Sequence, residues 1–266
     1  MAQDWEFNSF NLTTPAYDVQ YLGASEEVPA RRGENLTIPA KTGRYLAGNK
    51  KLDERRVSLA MWVKDVDQNG QNQGTATLLA NLDALKRCFA HDGTALLKHT
   101  ISGTVRQAPA EVVSSVQFEP FGTAPFYRFV VEFSMADPLW RAESARTVGP
   151  VTLTTNPQNV TLVNNGTYRQ EQGTIKVTGE ITDPKFTIGS DWVLYTGTVA
   201  GGGTLTIDCS NWTATNGTVD VSGDISHDGD LVWLPIPCGT AVTMAVSCGT
   251  LTGSPAVTVT HLEGYL

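Results

Sequence analysis

The chain has 266 residues, 41% of them hydrophobic, and carries 19 Lys and Arg against 27 Asp and Glu, a net charge of −8. Its length supports two cores of ordinary domain size. Its acidity excludes a duplex-reading protein, which needs clustered Lys and Arg, and no run approaches the ~18 apolar residues of a membrane-spanning helix.

In chain order, Met1 to Glu6 lack the basic and apolar segments of a secretory signal, so folding in a cytoplasm is expected. Residues 34–38 alternate and end at Pro39. Residues 56–63 alternate over a longer stretch, with Val57, Leu59, Met61 and Val63 on one face, as a half-buried strand requires. Residues 65–74 form a polar loop rich in Asn, Gln and Gly. A helix follows, because Leu78, Leu82, Leu85 and Phe89 fall on one stripe. Thr75 or Thr77 can cap its start, Asp83 and Arg87 can pair at i,i+4, and Asp92-Gly93 can end it in a left-handed turn. Further strands are expected over 95–99, 111–118 and 126–133. In the last, Phe129, Val131 and Phe133 alternate with Arg128, Val130 and Glu132, and Pro138, which has no N–H to donate, stops the ladder.

The composition then changes. Residues 1–150 hold 16 basic and 17 acidic side chains and 11 Thr, whereas residues 151–266 hold 3, 10 and 22. Such a shift in charge and β-branched content predicts a domain boundary near residues 141–150. Beyond it no helical stripe occurs. Short strands are expected over 151–154, 160–163, 174–178, 186–188, 193–199, 204–208, 218–221, 231–235, 240–247 and 256–260. Asn165-Gly166, Asn216-Gly217 and Asp228-Gly229 are hairpin-turn dipeptides. This spacing predicts a β-sandwich.

Several residue groups invite a chemical reading. Asp65, Asp67, Asn69 and Gly70 match the first half of an EF-hand calcium loop, but Ala76 stands where the bidentate Glu is required and a strand precedes the loop. A solvated hairpin loop is expected. Sequons occur at Asn11, Asn35, Asn159, Asn165, Asn211 and Asn216, and without a secretory signal Thr-rich strands and Asn-rich turns, rather than glycan acceptors, are expected. Arg31-Arg32 and Arg55-Arg56 adjoin Glu34 and Asp53-Glu54, so neither makes a basic patch, and solvated strand ends or ion pairs between subunits are expected. His91, His99, His227 and His261 share no motif with a Ser or Cys nucleophile. Asp220, Asp224, Asp228 and Asp230 are the carboxylates available for glycoside hydrolysis, which uses two across a cleft, but they sit in Gly-rich turns. Trp192, Trp212 and Trp233 can stack on sugar rings or pack a core, and the core is the plainer expectation. Cys88, Cys209, Cys238 and Cys248 lack metal-ligand spacing, and an extended 240–247 segment separates the last two by about 30 Å, so buried free thiols are expected. No catalytic residue, cofactor or metal site is expected.

One family resemblance runs through nearly the whole chain. Trp5–Phe10, residues 28–39 and residues 52–62 resemble the belt strands of siphophage distal tail proteins, in particular those of actinobacteriophages. The helix sits where the belt helix is expected, and Asp137-Pro138-Leu139-Trp140 resembles the exit from the belt. Residues 163–166, 175–179, 205–208 and 234–240 are similar to strand and turn signatures of the galectin-like domain. The resemblance implies a mainly β protein: a belt domain of strands plus one α-helix at 1–147, then a galectin-like β-sandwich at 148–266. It implies a structural role without enzymatic activity. The family forms a ring, expected to be a hexamer, that joins the tail tube protein to the tail-tip hub protein and passes DNA through its lumen, with the tape measure protein as a further neighbour. No specific nucleic-acid binding and no membrane contact are implied, and the location is the virion tail tip. The roughly 150 plus 116 residues leave no room for an inserted carbohydrate-binding module. Two rivals remain open: a carbohydrate-binding β-sandwich protein that serves host attachment, and a glycan hydrolase.

Overall fold

The computed structural model describes residues 3–31, 36–37, 44–45, 52–121, 126–228, 233–239 and 241–266. The chain divides into two compact units, Met1–Trp140 together with Leu266, and Arg141–Tyr265.

The first unit contains β1 (Gln3–Phe7), β2 (Phe10–Asn11), β3 (Tyr17–Glu26), β4 (Leu36–Thr37), β5 (Arg44–Tyr45), β6 (Arg55–Lys64), α1 (Thr75–Phe89), β7 (Ala95–Ile101), β8 (Thr104–Val112), β9 (Glu119–Pro120) and β10 (Phe126–Met135). Its main sheet runs β2-β1-β7-β8-β10-β6-β3. β6 and β10 pair antiparallel over ten residues, with Val57, Leu59, Met61 and Val63 facing the core beside Phe129, Val131 and Phe133. These are the two segments whose alternation is cleanest in the sequence. β3 escapes the sequence pattern because its register against β6 shifts between Val19 and Ala24, which breaks the period of two.

α1 covers the core face of this sheet with Leu78, Leu82, Leu85, Cys88 and Phe89. Phe89 meets Phe129 and Phe133 edge-on at 5.9 and 6.4 Å. The helix boundaries are as expected, but its ends are not. Gly74, with φ 81, is the N-cap and no side chain caps it, so neither Thr75 nor Thr77 does. Asp83 pairs with Lys86 at 3.5 Å, one position short of Arg87. The C-cap is Ala90, and Gly93, although at φ 81, follows the helix by three residues. The strand expected over 111–118 is displaced: β7 turns at Ser102 and Gly103 straight into β8, which ends at Val112. The 34–38 strand is seen as Leu36–Thr37, its other residues lying outside the described ones.

β11 (Trp140–Ala142) spans the division. The second unit then contains β12 (Arg146–Thr152), β13 (Gln158–Val163), β14 (Gly173–Thr178), β15 (Ile181–Thr182), β16 (Lys185–Ile188), β17 (Asp191–Tyr195), β18 (Thr198–Val199), β19 (Thr204–Asp208), β20 (Thr213–Asn216), β21 (Val219–Asp220), β22 (Ile225–His227), β23 (Ala241–Ser247), β24 (Thr250–Leu251), β25 (Ala256–His261) and β26 (Gly264–Tyr265). One sheet runs β12-β25-β14-β19-β20-β21 and the other β13-β23-β16-β17-β22. Ile175, Val177, Leu205, Ile207, Val257 and Val259 of the first share one core with Leu162, Phe186, Val193, Met244 and Val246 of the second. This is a β-sandwich. Each such side chain, fully buried, contributes about 1.5–3 kcal/mol of transfer free energy before entropy is counted.

Turns decide the departures. Asn216-Gly217 does make a hairpin, between β20 and β21. Asn165-Gly166 does not. There Gly166 lies so close to Gly264 that a Cβ would collide with the Gly264 carbonyl, and its N–H donates to the Asn164 side chain at 2.9 Å. In the 231–235 segment, Leu231 and Val232 lie outside the described residues. Ile236, just beyond, bridges Gln170.

Candidate functional site

The 65–74 loop is a closed hairpin. Val66 bridges Asn72, and the Asp67 carboxylate accepts the Asn69 N–H and the Gln71 N–H, both at 2.9 Å, and the Gln73 side-chain amide at 3.2 Å. The Gln71 bond leads the causes that hold the Asp67 carboxyl below its usual range. Three of its acceptor sites are thus engaged within the loop, and the loop's exit, Ala76, lies in the first turn of α1.

The sequence gives no sign of the polar cluster in the first unit, where the partly exposed Glu26 meets buried partners. Glu26 ends β3. One carboxylate oxygen lies 3.2 Å from His99 Nδ1, and the other accepts Trp140 Nε1 at 2.9 Å and lies 3.9 Å from Arg55 Nη1. Trp5 stacks on His99, with centroids 3.8 Å apart and planes at 12°. Burial pushes the Glu26 carboxyl up, but the bonds from His99 and Trp140 and the charges of His99 and Arg55 outweigh it and hold it below its usual range. Arg55 is only 2% exposed, so the expected solvated strand end is wrong for this residue. The sheet register turns Arg55 inward and Arg56 outward, where Arg56 pairs with Glu54 at 3.3 Å. Arg31 is exposed and bridges Leu52, while Arg32 and Glu34 lie outside the described residues.

In the sandwich the singled-out residues stay dispersed. Trp233 is buried, and Trp192 is half-buried with Lys185 Nζ 4.3 Å above its ring. Trp212 departs from the core expectation: it is 56% exposed at the β19–β20 turn, with φ 55. Asp208 fixes that turn by accepting the Ser210 N–H at 2.8 Å, the Asn211 N–H at 3.2 Å and the Asn211 side-chain amide at 2.8 Å. Asp220 is committed to Ser222, whose N–H and Oγ donate at 2.9 and 2.6 Å. Asp230 lies outside the described residues. His99 and His261 are buried in different units, and His91 is exposed. Burial pushes the Cys88 and Cys209 thiols up to about 12, whereas Cys238 is exposed and Cys248 partly so, contrary to the expectation that all four are buried. Among the described sequon residues, Asn11 and Asn211 hydrogen-bond within turns, and the Asn216 amide donates to the Thr198 carbonyl at 3.1 Å. Among the described residues no group of three His, Cys, Asp or Glu is placed to hold a metal ion, and no helix is long and apolar enough to cross a membrane.

No family model and no curated protein sequence matches the chain. Among solved structures, the Dit protein (gp 19.1) of SPP1, described as a paradigm of the hub adsorption apparatus in phages that infect Gram-positive bacteria, superimposes with a TM-score of 0.70 at 13% identity, covering 100% of both chains. The chain has the fold of SPP1 Dit. The match extends through both units of the chain. Two structures of a phage p2 baseplate in its activated conformation are more distant. The strontium form has a TM-score of 0.42 at 6% identity and covers 100% of both chains. The calcium form has 0.41 at 7%, covering 99% of this chain and 98% of that one.

Proposed function

We propose that the chain is the distal tail protein of a siphophage, a structural ring component of the virion tail tip without enzymatic activity. The observation that carries this reading is the match to SPP1 Dit over the full length of both chains. The first unit is then the belt and the second the peripheral galectin-like domain. Six copies close a ring; one face continues the tail tube protein, the other seats the hub protein, and the tape measure protein and then DNA occupy the lumen. The near balance of charge in the first unit, 16 basic against 17 acidic side chains over residues 1–150, suits a channel that must not retain a polyanion. Native mass spectrometry of the purified protein tests the reading: a species six times the 28.6 kDa chain is expected, and a protein that is monomeric both alone and in isolated tails refutes it.

The exposed Trp212 favours one alternative, glycan binding for host attachment. The adaptor reading expects an empty glycan array, because Asp208 and Asn211 beside the ring already bond each other. A specific hit lost in Trp212→Ala reverses the preference.

A further inference from the structure

The main sheet of the first unit has one face under α1 and, among the described residues of the unit, no second layer on the other face. An antiparallel sheet with a solvated face alternates apolar inward and polar outward. β6 and β10 break that rule at their centre. Val130 is 49% exposed in mid-strand and pairs directly with Ala60. The next outward pair is Arg128 and Trp62, and Trp62 packs on Phe126 at 4.6 Å and on Phe121, itself 41% exposed, at 5.2 Å. A trough of about 450 Å³ crosses this face, lined by Gln20, Ala60, Ser115, Glu119, Arg128 and Val130. The ladder is also open there. β10 pairs with β6 throughout, but on its other side it pairs with β8 at Phe133 and Ser134 and with β9 at Tyr127 and Arg128, leaving Val130 between them.

On the far side of the same unit, α1 turns Ala76, Leu79, Ala80 and Asp83 outward as one stripe. Leu79 is 55% exposed and is flanked by the two alanines, which makes a narrow apolar ridge. The charges on the two faces correspond. Asp83 and Lys86 sit beside the ridge, 3.5 Å apart, and Glu119 and Arg128 sit on the trough wall, also 3.5 Å apart. All four side chains are more than half exposed, so each pair can exchange partners. Resting on the ring reading above, we propose that α1 of one copy seats in the trough of the next copy, with Leu79 on Ala60 and Val130, Asp83 against Arg128 and Lys86 against Glu119. The contact supplies the uncovered sheet face with a second helical layer. Its two halves lie on opposite faces of the unit, so it is heterologous and runs head to tail, as a closed ring requires.

Sedimentation velocity of the full chain tests this, using Leu79→Asp and Val130→Asp at exposed positions. Each variant alone is expected to be monomeric with an unchanged circular dichroism spectrum. Mixed in equal amounts they should form one-to-one dimers and nothing larger, because each carries one intact half of the contact. Variants that assemble like the wild type overturn the proposed seat and leave the ring reading standing. A wild-type chain that never self-associates, alone or in tails, overturns the ring reading and the seat with it. If Val130→Asp proves unfolded, Arg128→Asp takes its place: assembly lost in that variant and restored by adding Asp83→Arg supports the seat, and a folded double variant that stays monomeric refutes it.

Discussion

A carboxylate that serves an indole, an imidazole and a guanidinium can be removed only by depriving all three. Glu26→Gln should therefore destabilise the first unit by about 1.5–3 kcal/mol, the range for hydrogen bonds to charged groups. Urea unfolding followed by fluorescence reads this directly, since Trp5 and Trp140 both belong to the cluster. The folded-state pKa of Glu26 is lowered, so its contribution is present above the unfolded value of about 4.3 and is lost as pH falls through the lower folded value. His261, in the other unit, shifts in the same direction. Burial leads in holding its imidazole below the usual range and Arg146 adds to it, while the Val163 backbone and Glu263 act against them. The neutral ring is thus the folded form. Stability is complete above the unfolded pKa of about 6.5 and declines as pH falls below it. Between pH 7.5 and 5 the melting temperature of the second unit should fall by a few degrees, about 2–4 °C for each kcal/mol at this chain size, and His261→Phe should flatten that slope. Equal slopes in the two proteins would place the effect elsewhere. Neither residue was legible as a site in the sequence. Glu26 lies beside Glu27 in a polar stretch, and its partners come from β6, β7 and the residue after Leu139, so only folding brings them together.

Elements were legible where period and burial agree. The alternation in β6 and β10 and the leucine stripe of α1 each report a face pressed against one core, and their positions came out nearly as expected. The expectation for β8 failed because residues 113–118 are apolar enough to suggest a strand, whereas the turn at Ser102-Gly103, with φ 51 and 80, had already set the hairpin. β3 was invisible because its bulge divides the alternation. In the 65–74 loop, Ala76 stands where a calcium loop needs its bidentate Glu, and Asp67 accepts from Asn69, Gln71 and Gln73. Titration with millimolar calcium should give no saturable heat. A binding isotherm that disappears in Asp65→Asn and Asp67→Asn would contradict this.

At the scale of the whole molecule, the sandwich follows from the Thr-rich strands and turn dipeptides, and the fold it shares with SPP1 Dit covers both units. Ring order and neighbours were not legible at all, because they depend on surfaces rather than on periodic burial. Charge gives one guide. The first 150 residues nearly balance, with 16 basic and 17 acidic side chains, so copies can approach closely there. The remainder, with 3 against 10, repels its like unless spaced beyond the Debye length of about 8 Å. A fragment spanning residues 1–140 should accordingly remain associated in light scattering, and one spanning 141–266 should be monomeric. The reverse pattern would move ring formation to the sandwich. Electron microscopy of the purified chain decides whether the ring exists. The account predicts six-fold averages with an open central channel and peripheral lobes. Particles that are uniformly monomeric, or closed two-fold dimers without a channel, would contradict it.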